Sequence, residues 1–175
     1  MAIDESLPFT PLNIAVVTVS DTRTVADDRS GDTLVERLES AGHRLTDRAI
    51  VKDDAEALVR HFRQLIANRD VDVVITTGGT GLTGRDVTPE ALERVATKHI
   101  PGFGELFRWL SHRSIGTSTI QSRAMAVLAE TTYIFALPGS TGAVKDGWDG
   151  ILATQLDSRY RPCNFVDLIP RLAER

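Results

Sequence analysis

The segment Thr76–Ala91, TTGGTGLTGRDVTPEA, carries Gly78, Gly79, Gly81 and Gly84 with the hydroxyls of Thr80 and Thr83 between them. Glycine lets successive backbone N–H groups turn toward one point, and such a nest of donors binds anions. The segment follows an apolar run and leads into a predicted helix at Thr88-Pro89-Glu90, and helix N-termini favour phosphate. Asp86 ends the loop. A carboxylate there can place Mg²⁺ against phosphates held by Gly78–Gly81, because Mg²⁺ takes one or two carboxylates together with phosphate oxygens and water. The competing reading is a loop cap for Thr88 or an ion pair with Arg85. No Lys follows the glycines, so this is not a Walker A loop. Gly79–Gly84 matches G-x-G-x-x-G in spacing, a weak signal when alone, and Asp86 falls inside the would-be helix entrance.

Other segments offer polar groups in similar settings. Pro138-Gly139-Ser140-Thr141-Gly142 turns the chain into a helix, and its hydroxyls and N–H groups suit an anion or an ordinary turn. Ser20-Asp21-Thr22 is similar. Gly116–Arg123, GTSTIQSR, is rich in hydroxyls with one arginine able to meet a phosphate. Asp53 precedes a strong helical pattern and forms a capping-box pattern with Glu56, so by residue type alone it reads as an N-cap. His43, His61, His99 and His112 have no metal spacing, and His61 and His112 read as solvated. Trp109 and Trp148 suit a core or an interface. Arg108, Arg113, Arg159 and Arg161 read as a solvated face. No nucleophile elbow is present.

These groups need elements to position them. Asn13–Ser20, Val71–Thr77 and Thr132–Leu137 are apolar and rich in β-branched residues, as strands buried on both faces are. His43–Val51 is a weaker strand. Helical spacing runs over Asp32–Ala41, closed by Gly42, and over Asp54–Asn68, where Ala55, Leu58, Phe62, Leu65 and Ile66 share a face. Helices are also expected from Thr88, over residues 103–112, over Gln121–Glu130, and from Ser140 through Val144, Trp148, Ile151, Leu152 and Leu156. The alternation predicts an α/β fold: a single three-layer domain, mostly parallel sheet with helices on both faces. Residues 1–12, with Pro8 and Pro11, read as a loose N-terminal arm, and residues 13–175 as the domain. Ligands of such sheets bind beyond the carboxyl ends of the strands, where the glycine loop, the Ser20 turn and the Pro138 turn all fall.

Composition narrows the class. The chain has 175 residues, enough for one domain with its own core. Twenty Lys and Arg against 24 Asp and Glu leave a formal charge of −4, which is not the basic footprint of a nucleic-acid binder. A single cysteine, Cys163, excludes an internal disulfide and a cysteine-based zinc site. With no signal-peptide pattern and no apolar stretch near ~18 residues, a cytoplasmic protein is expected.

The motif resembles that of the MoaB/Mog family of molybdenum cofactor biosynthesis, which includes the G domain of gephyrin. Supporting pieces are TVSD (Thr18–Asp21), DRSG (Asp28–Gly31), PGFGE (Pro101–Glu105), QSRA (Gln121–Ala124) and LPGS (Leu137–Ser140). The likeness runs from Ile14 to Cys163, and GTSTIQSRA and SRYRPCNF are more similar to the bacterial MoaB branch. The resemblance implies a molybdopterin-binding α/β domain and adenylylation of molybdopterin: ATP donates AMP to the pterin phosphate, pyrophosphate leaves, and Mg²⁺ is required. It ties two aspartates to catalysis and metal holding, aligned with Asp86 and Asp53, and so replaces the cap reading of Asp53. Ser20, Thr77, Gly78, Gly79, Thr80, Gly81, Ser122, Pro138, Gly139 and Ser140 are then the expected phosphate- and substrate-binding residues. The resemblance also implies a homo-oligomer, a trimer or a dimer of trimers, and handover to a molybdenum insertase. The alternative is a non-catalytic molybdopterin carrier or scaffold of the same pathway, with the apolar helix around Trp109 as its assembly surface.

Overall fold

The computed structural model describes residues 3–174. Strands β1 (Asn13–Val19), β2 (Arg44–Val51), β3 (Val73–Thr77) and β6 (Thr132–Leu137) run parallel. Strands β5 (Met125–Ala129) and β4 (Lys98–His99) extend the sheet antiparallel, giving the order β2-β1-β3-β6-β5-β4. The helices are α1 (Arg29–Ser40), α2 (Ala55–Ala67), α3 (Thr88–Glu93), α4 (Pro101–Ile115) and α5 (Thr141–Gly147). The chain of α5 continues through a wider π-type turn, Trp148–Leu152, into the short α6 (Ala153–Gln155).

Strand periodicity explains the three layers. Along β1, Ile14 and Val16 pack with Leu34, Leu38, Phe107, Val144 and Trp148 on one face, under α1, α4 and α5. Ala15, Val17 and Val19 pack with Leu58, Phe62, Leu65 and Leu92 on the other, under α2 and α3. Successive side chains of a strand point to opposite faces, so a strand covered twice must be apolar throughout. The expected fold class therefore holds, as a single α/β domain with a mostly parallel sheet.

Four local expectations need correction. The helix expected over Gln121–Glu130 is a short 3₁₀ segment, Gly116–Gln121, followed by β5. MAVLA is compatible with either state, and pairing with β6 decides it (Val127 beside Ile134). The arm expected to be loose is tied down: Asp4 N–H donates to the Arg159 carbonyl at 3.0 Å and Thr10 N–H to Ser158 Oγ at 2.9 Å. Phe9 packs at a tilt against His43, and Leu12 is buried with its N–H donating to His43 Nδ1 at 3.2 Å. The arginines read as a solvated face are engaged. Arg108 donates to the Ser122 and Ala124 carbonyls, Arg113 lies over Trp109, Arg159 pairs with Asp157, and Arg161 pairs with Asp167. His61 is half-buried, 3.9 Å from Asp47, rather than solvated. Trp148 is core and Trp109 is exposed. No helix among the described residues is long and apolar enough to cross a membrane.

Candidate functional site

From the sheet, β1 leads outward to β2 in one direction and β3 to β6 in the other. The chain reverses its winding between β1 and β3, and open α/β sheets bind ligands at that switch point. The loops leaving β1, β3 and β6, with Asp53 just beyond β2, surround a cleft of about 770 Å³.

The glycine loop forms its floor. Gly78 has φ +104° and Gly79 φ +62°, backbone that side chains disfavour. Space forbids a side chain too: a Cβ on Gly78 would lie 2.3 Å from the Val19 carbonyl oxygen, and one on Gly79 would lie 2.4 Å from Thr88 Oγ1. Gly78 N–H donates to the Leu137 carbonyl at 3.0 Å, closing the loop against the β6 turn. Thr88 N–H donates to the Gly79 carbonyl and Thr88 Oγ1 to the Gly78 carbonyl. Thr88 thus opens α3 but spends its hydroxyl on the loop rather than on a cap; Val87 is the N-cap residue and makes no side-chain cap bond. The N–H groups of Gly79 and Thr80 have no protein acceptor among the described residues, and both residues line the cleft.

The aspartates differ in environment. Asp54, not Asp53, caps α2, accepting from Ala57 N–H at 2.7 Å. The cap reading of Asp53 is therefore overturned by its neighbour, and the Asp53 carboxyl faces the cleft. Burial first, and then the negative charges of Asp21 and Asp86, push its pKa up. Asp86 accepts from Thr83 Oγ1 at 2.6 Å and Thr83 N–H at 2.9 Å. These bonds, the hydroxyl's foremost, hold its carboxyl below the usual carboxylate range. Neither competing role of Asp86 is realised, because Arg85 pairs with Asp21 instead. Both carboxyls line the same cleft, the charge of Asp86 adds to the upward push on Asp53, and Asp53 has no ion-pair partner among the described residues. Hard oxygen donors in that relation fit a Mg²⁺ ion that also takes phosphate oxygens and water. No set of three or more His, Cys, Asp or Glu side chains among the described residues could hold a metal by itself.

Ser20, Asp53, Gly78, Gly79, Thr80, Gly81, Asp86, Ser122, Pro138, Gly139 and Ser140 all line this cleft. Thr77 does not. It is buried, and its hydroxyl donates to the Pro138 carbonyl at 3.0 Å, fixing one wall to another. Ser140 also caps α5, accepting from Ala143 N–H. Arg123, read as able to meet a phosphate, lies behind the loop: its N–H donates to the Thr80 carbonyl, Nε to the Gly81 carbonyl at 2.7 Å and Nη2 to the Asp86 carbonyl at 2.6 Å. It staples the glycine motif from outside.

A family model described as a probable molybdopterin binding domain matches residues 15–158. Molybdenum cofactor biosynthesis protein B of Escherichia coli (strain K12) is 51% identical over 160 residues, spanning 91% of this chain and 94% of that protein. The chain belongs to the MoaB/Mog family. The protein of the same name from Bacillus subtilis (strain 168) is 44% identical over 142 residues, 81% of this chain and 84% of that protein. A crystal structure of molybdenum cofactor biosynthesis protein B superposes with a TM-score of 0.85 at 38% identity, covering 95% of this chain and 98% of that one. The tungsten cofactor synthesizing protein MoaB of Pyrococcus furiosus gives a TM-score of 0.74 at 32% identity, covering 94% and 98%.

The family motif thus sits on the switch-point cleft, but the cleft is larger than the motif. Its far end lies between α4 and α5, lined by Phe107, Ser111, Ser114, Ile115, Thr119 and Asp146. Of these, sequence reasoning touched only Thr119 as a candidate site residue, within the hydroxyl-rich Gly116–Arg123 segment; the others look like core and surface positions on a helix. Arg23 was missed too; it stands in a polar loop with no local motif and enters the cleft wall through contacts to residues far along the chain.

Proposed function

We propose that this protein transfers the adenylyl group of ATP to the terminal phosphate of molybdopterin in molybdenum cofactor biosynthesis. A pterin phosphate oxygen forms a bond to the α-phosphorus, the bond from that phosphorus to the bridging oxygen breaks, and pyrophosphate leaves. One observation carries the reading: the acceptor-free amides of Gly79 and Thr80 share a cleft with the carboxyls of Asp53 and Asp86.

The chain's own residues supply position and charge. The Gly79 and Thr80 amides would hold phosphate oxygens, and the Gly78 and Gly79 backbone keeps that floor free of side chains. Asp53 and Asp86 would hold Mg²⁺, which when bound supplies charge neutralisation to the phosphates. The Thr83 hydrogen bonds fix the Asp86 carboxylate before any ligand arrives, so little reorganisation is needed at reaction. The far end of the cleft, with Phe107 and Ile115 beside Ser111, Ser114 and Asp146, offers an apolar wall with polar groups for a flat heterocycle. A chain of net charge −4 cannot offset two phosphorylated substrates by its overall field, so local donors and a bound cation must.

The test incubates protein, molybdopterin, ATP and Mg²⁺ and measures pyrophosphate and adenylylated pterin. Stoichiometric formation of both is expected; pterin binding with no pyrophosphate release refutes the transfer. A second reading, a non-catalytic carrier, is favoured by one feature: Asp86 Oδ2 is already bonded within its own loop by Thr83. Tight, ATP-independent pterin binding without turnover decides for it. We also propose a homo-oligomer, trimer or paired trimers, assembled through the exposed Leu106, Trp109 and Ile120, which light scattering tests.

A further inference from the structure

The cleft has an unbalanced set of charges. Its ionisable lining is Arg23, Asp53, Arg85, Asp86 and Asp146. Arg85 is committed, with Nε and Nη2 both on one Asp21 oxygen. Arg23 and Arg85 are the two cations among the described lining residues, and Arg23 is the one bonded to the turn that packs on the glycine floor. We infer that Arg23 is the cation that contacts a phosphoryl group on the Gly79–Thr80 amides. This rests on the reading above for a phosphate being there at all, and adds a residue that neither the motif nor the family likeness assigned.

The geometry is that of a prepared guanidinium. Asp28 is wholly buried at the start of α1, accepting from Gly31 N–H at 3.0 Å and Thr18 Oγ1 at 2.7 Å. Its Oδ1 lies 3.6 Å from Arg23 Nη1, and its Oδ2 lies 3.3 Å from Arg48 Nη2. Arg23 Nη1 also donates to Ser30 Oγ, and Nη2 donates to the Gly139 carbonyl at 2.8 Å. Gly139 in turn packs against Gly78, where a Cβ would sit 3.3 Å from the Gly78 Cα. The guanidinium is thus anchored beside the glycine floor. A guanidinium carries five N–H donors in a fixed fork. The bonds above occupy Nη1 and one N–H of Nη2, while Nε–H has no acceptor among the described residues. Arginine in such a setting suits a phosphate through paired N–H contacts as well as charge. Ser20 Oγ accepts from the N–H groups of Thr22 and Arg23 and so shapes the loop that carries the group.

The competing account makes Arg23 only a strap between the β1 loop and the Gly139 turn. Calorimetric binding of inorganic pyrophosphate, ATP, adenosine and molybdopterin to the full chain, without turnover, separates the two. Arg23→Gln should weaken phosphate-bearing ligands by about 10- to 100-fold and leave adenosine unchanged. Arg23→Lys should recover part of that loss. The slope of log Kd against log salt should become shallower in Arg23→Gln, which a strap would not cause. Loss confined to pyrophosphate and ATP assigns the contact to the nucleotide phosphates; loss confined to molybdopterin assigns it to the pterin phosphate. Unchanged affinities, equal weakening of adenosine, or a wild-type protein that binds none of the phosphates overturns the inference. Arg23-dependent binding with no adenylyl transfer in the wild type leaves it standing and sinks the transfer reading alone.

Discussion

Adding one methyl group to the floor of the cleft is the sharpest probe of how fold and site share the same atoms. In Gly79→Ala the new Cβ would fall 2.4 Å from Thr88 Oγ1, 3.2 Å from Asp53 Oδ1 and 3.2 Å from Val19 Cγ1, at a φ of +62°. The left-handed backbone costs an alanine roughly 1–2 kcal/mol. The Thr88 hydroxyl must then move, straining or breaking its 2.9 Å bond to the Gly78 carbonyl, and overpacking of this kind costs about 1–3 kcal/mol. The sum is about 2–5 kcal/mol, a large share of the ~5–15 kcal/mol that holds a domain together. At about 2–4 °C per kcal/mol for a chain of this size, a Tm loss near 10 °C is expected. Gly84→Ala is the control, because its Cβ would meet nothing within 4 Å, and it should change stability by less than ~0.5 kcal/mol. Urea denaturation measures both. Since Asp53 is the second atom struck, Gly79→Ala should also depress adenylyl transfer and phosphate binding more than its stability loss explains. If Gly79→Ala and Gly84→Ala unfold at the same urea concentration, the packing argument for this loop is wrong.

Asp86→Asn should lower adenylyl transfer by roughly 10²-fold or more while molybdopterin binding largely survives, which a pyrophosphate assay with pterin titration reads. Asp53→Asn should lose activity without losing stability: its raised pKa means the ionised form is disfavoured by folding, so an uncharged isostere leaves the urea midpoint at pH 7 unchanged or higher. Buried His43 has its pKa pushed down by burial. The fold holds it neutral, accepting from Leu12 N–H, so stability is full above the ordinary imidazole value of about 6.5 and falls as pH drops below it, toward the lower folded pKa. Urea midpoints between pH 7.5 and 5 should show that fall, and His43→Leu should flatten it. Arg123→Ala removes two side-chain contacts to the glycine loop from behind and an ion pair to Glu90 of α3, and should cost about 2 kcal/mol in urea denaturation, with Arg123→Lys restoring only part.

The sequence alone carried the layers of the fold, because strands buried on both faces must be predominantly apolar, and NIAVVTV, VVITT and TYIFAL depart from that only at Asn13 and the threonines. It also carried the glycine loop, where backbone geometry and crowding leave no other residue type a place at Gly78 and Gly79. Tertiary structure decided what depends on distant partners. MAVLA became a strand because β6 offered it a ladder, and the arm was secured because Ser158 and His43 waited for it. Asp53 was released from capping by Asp54, Thr77 was withdrawn into the wall, and Arg123 was turned from ligand to staple. Arg23 entered the cleft through a carbonyl 116 residues away. Local pattern records what a residue's own backbone requires, whereas the direction of a polar side chain is set by whichever donors and acceptors the folded chain brings within about 3 Å.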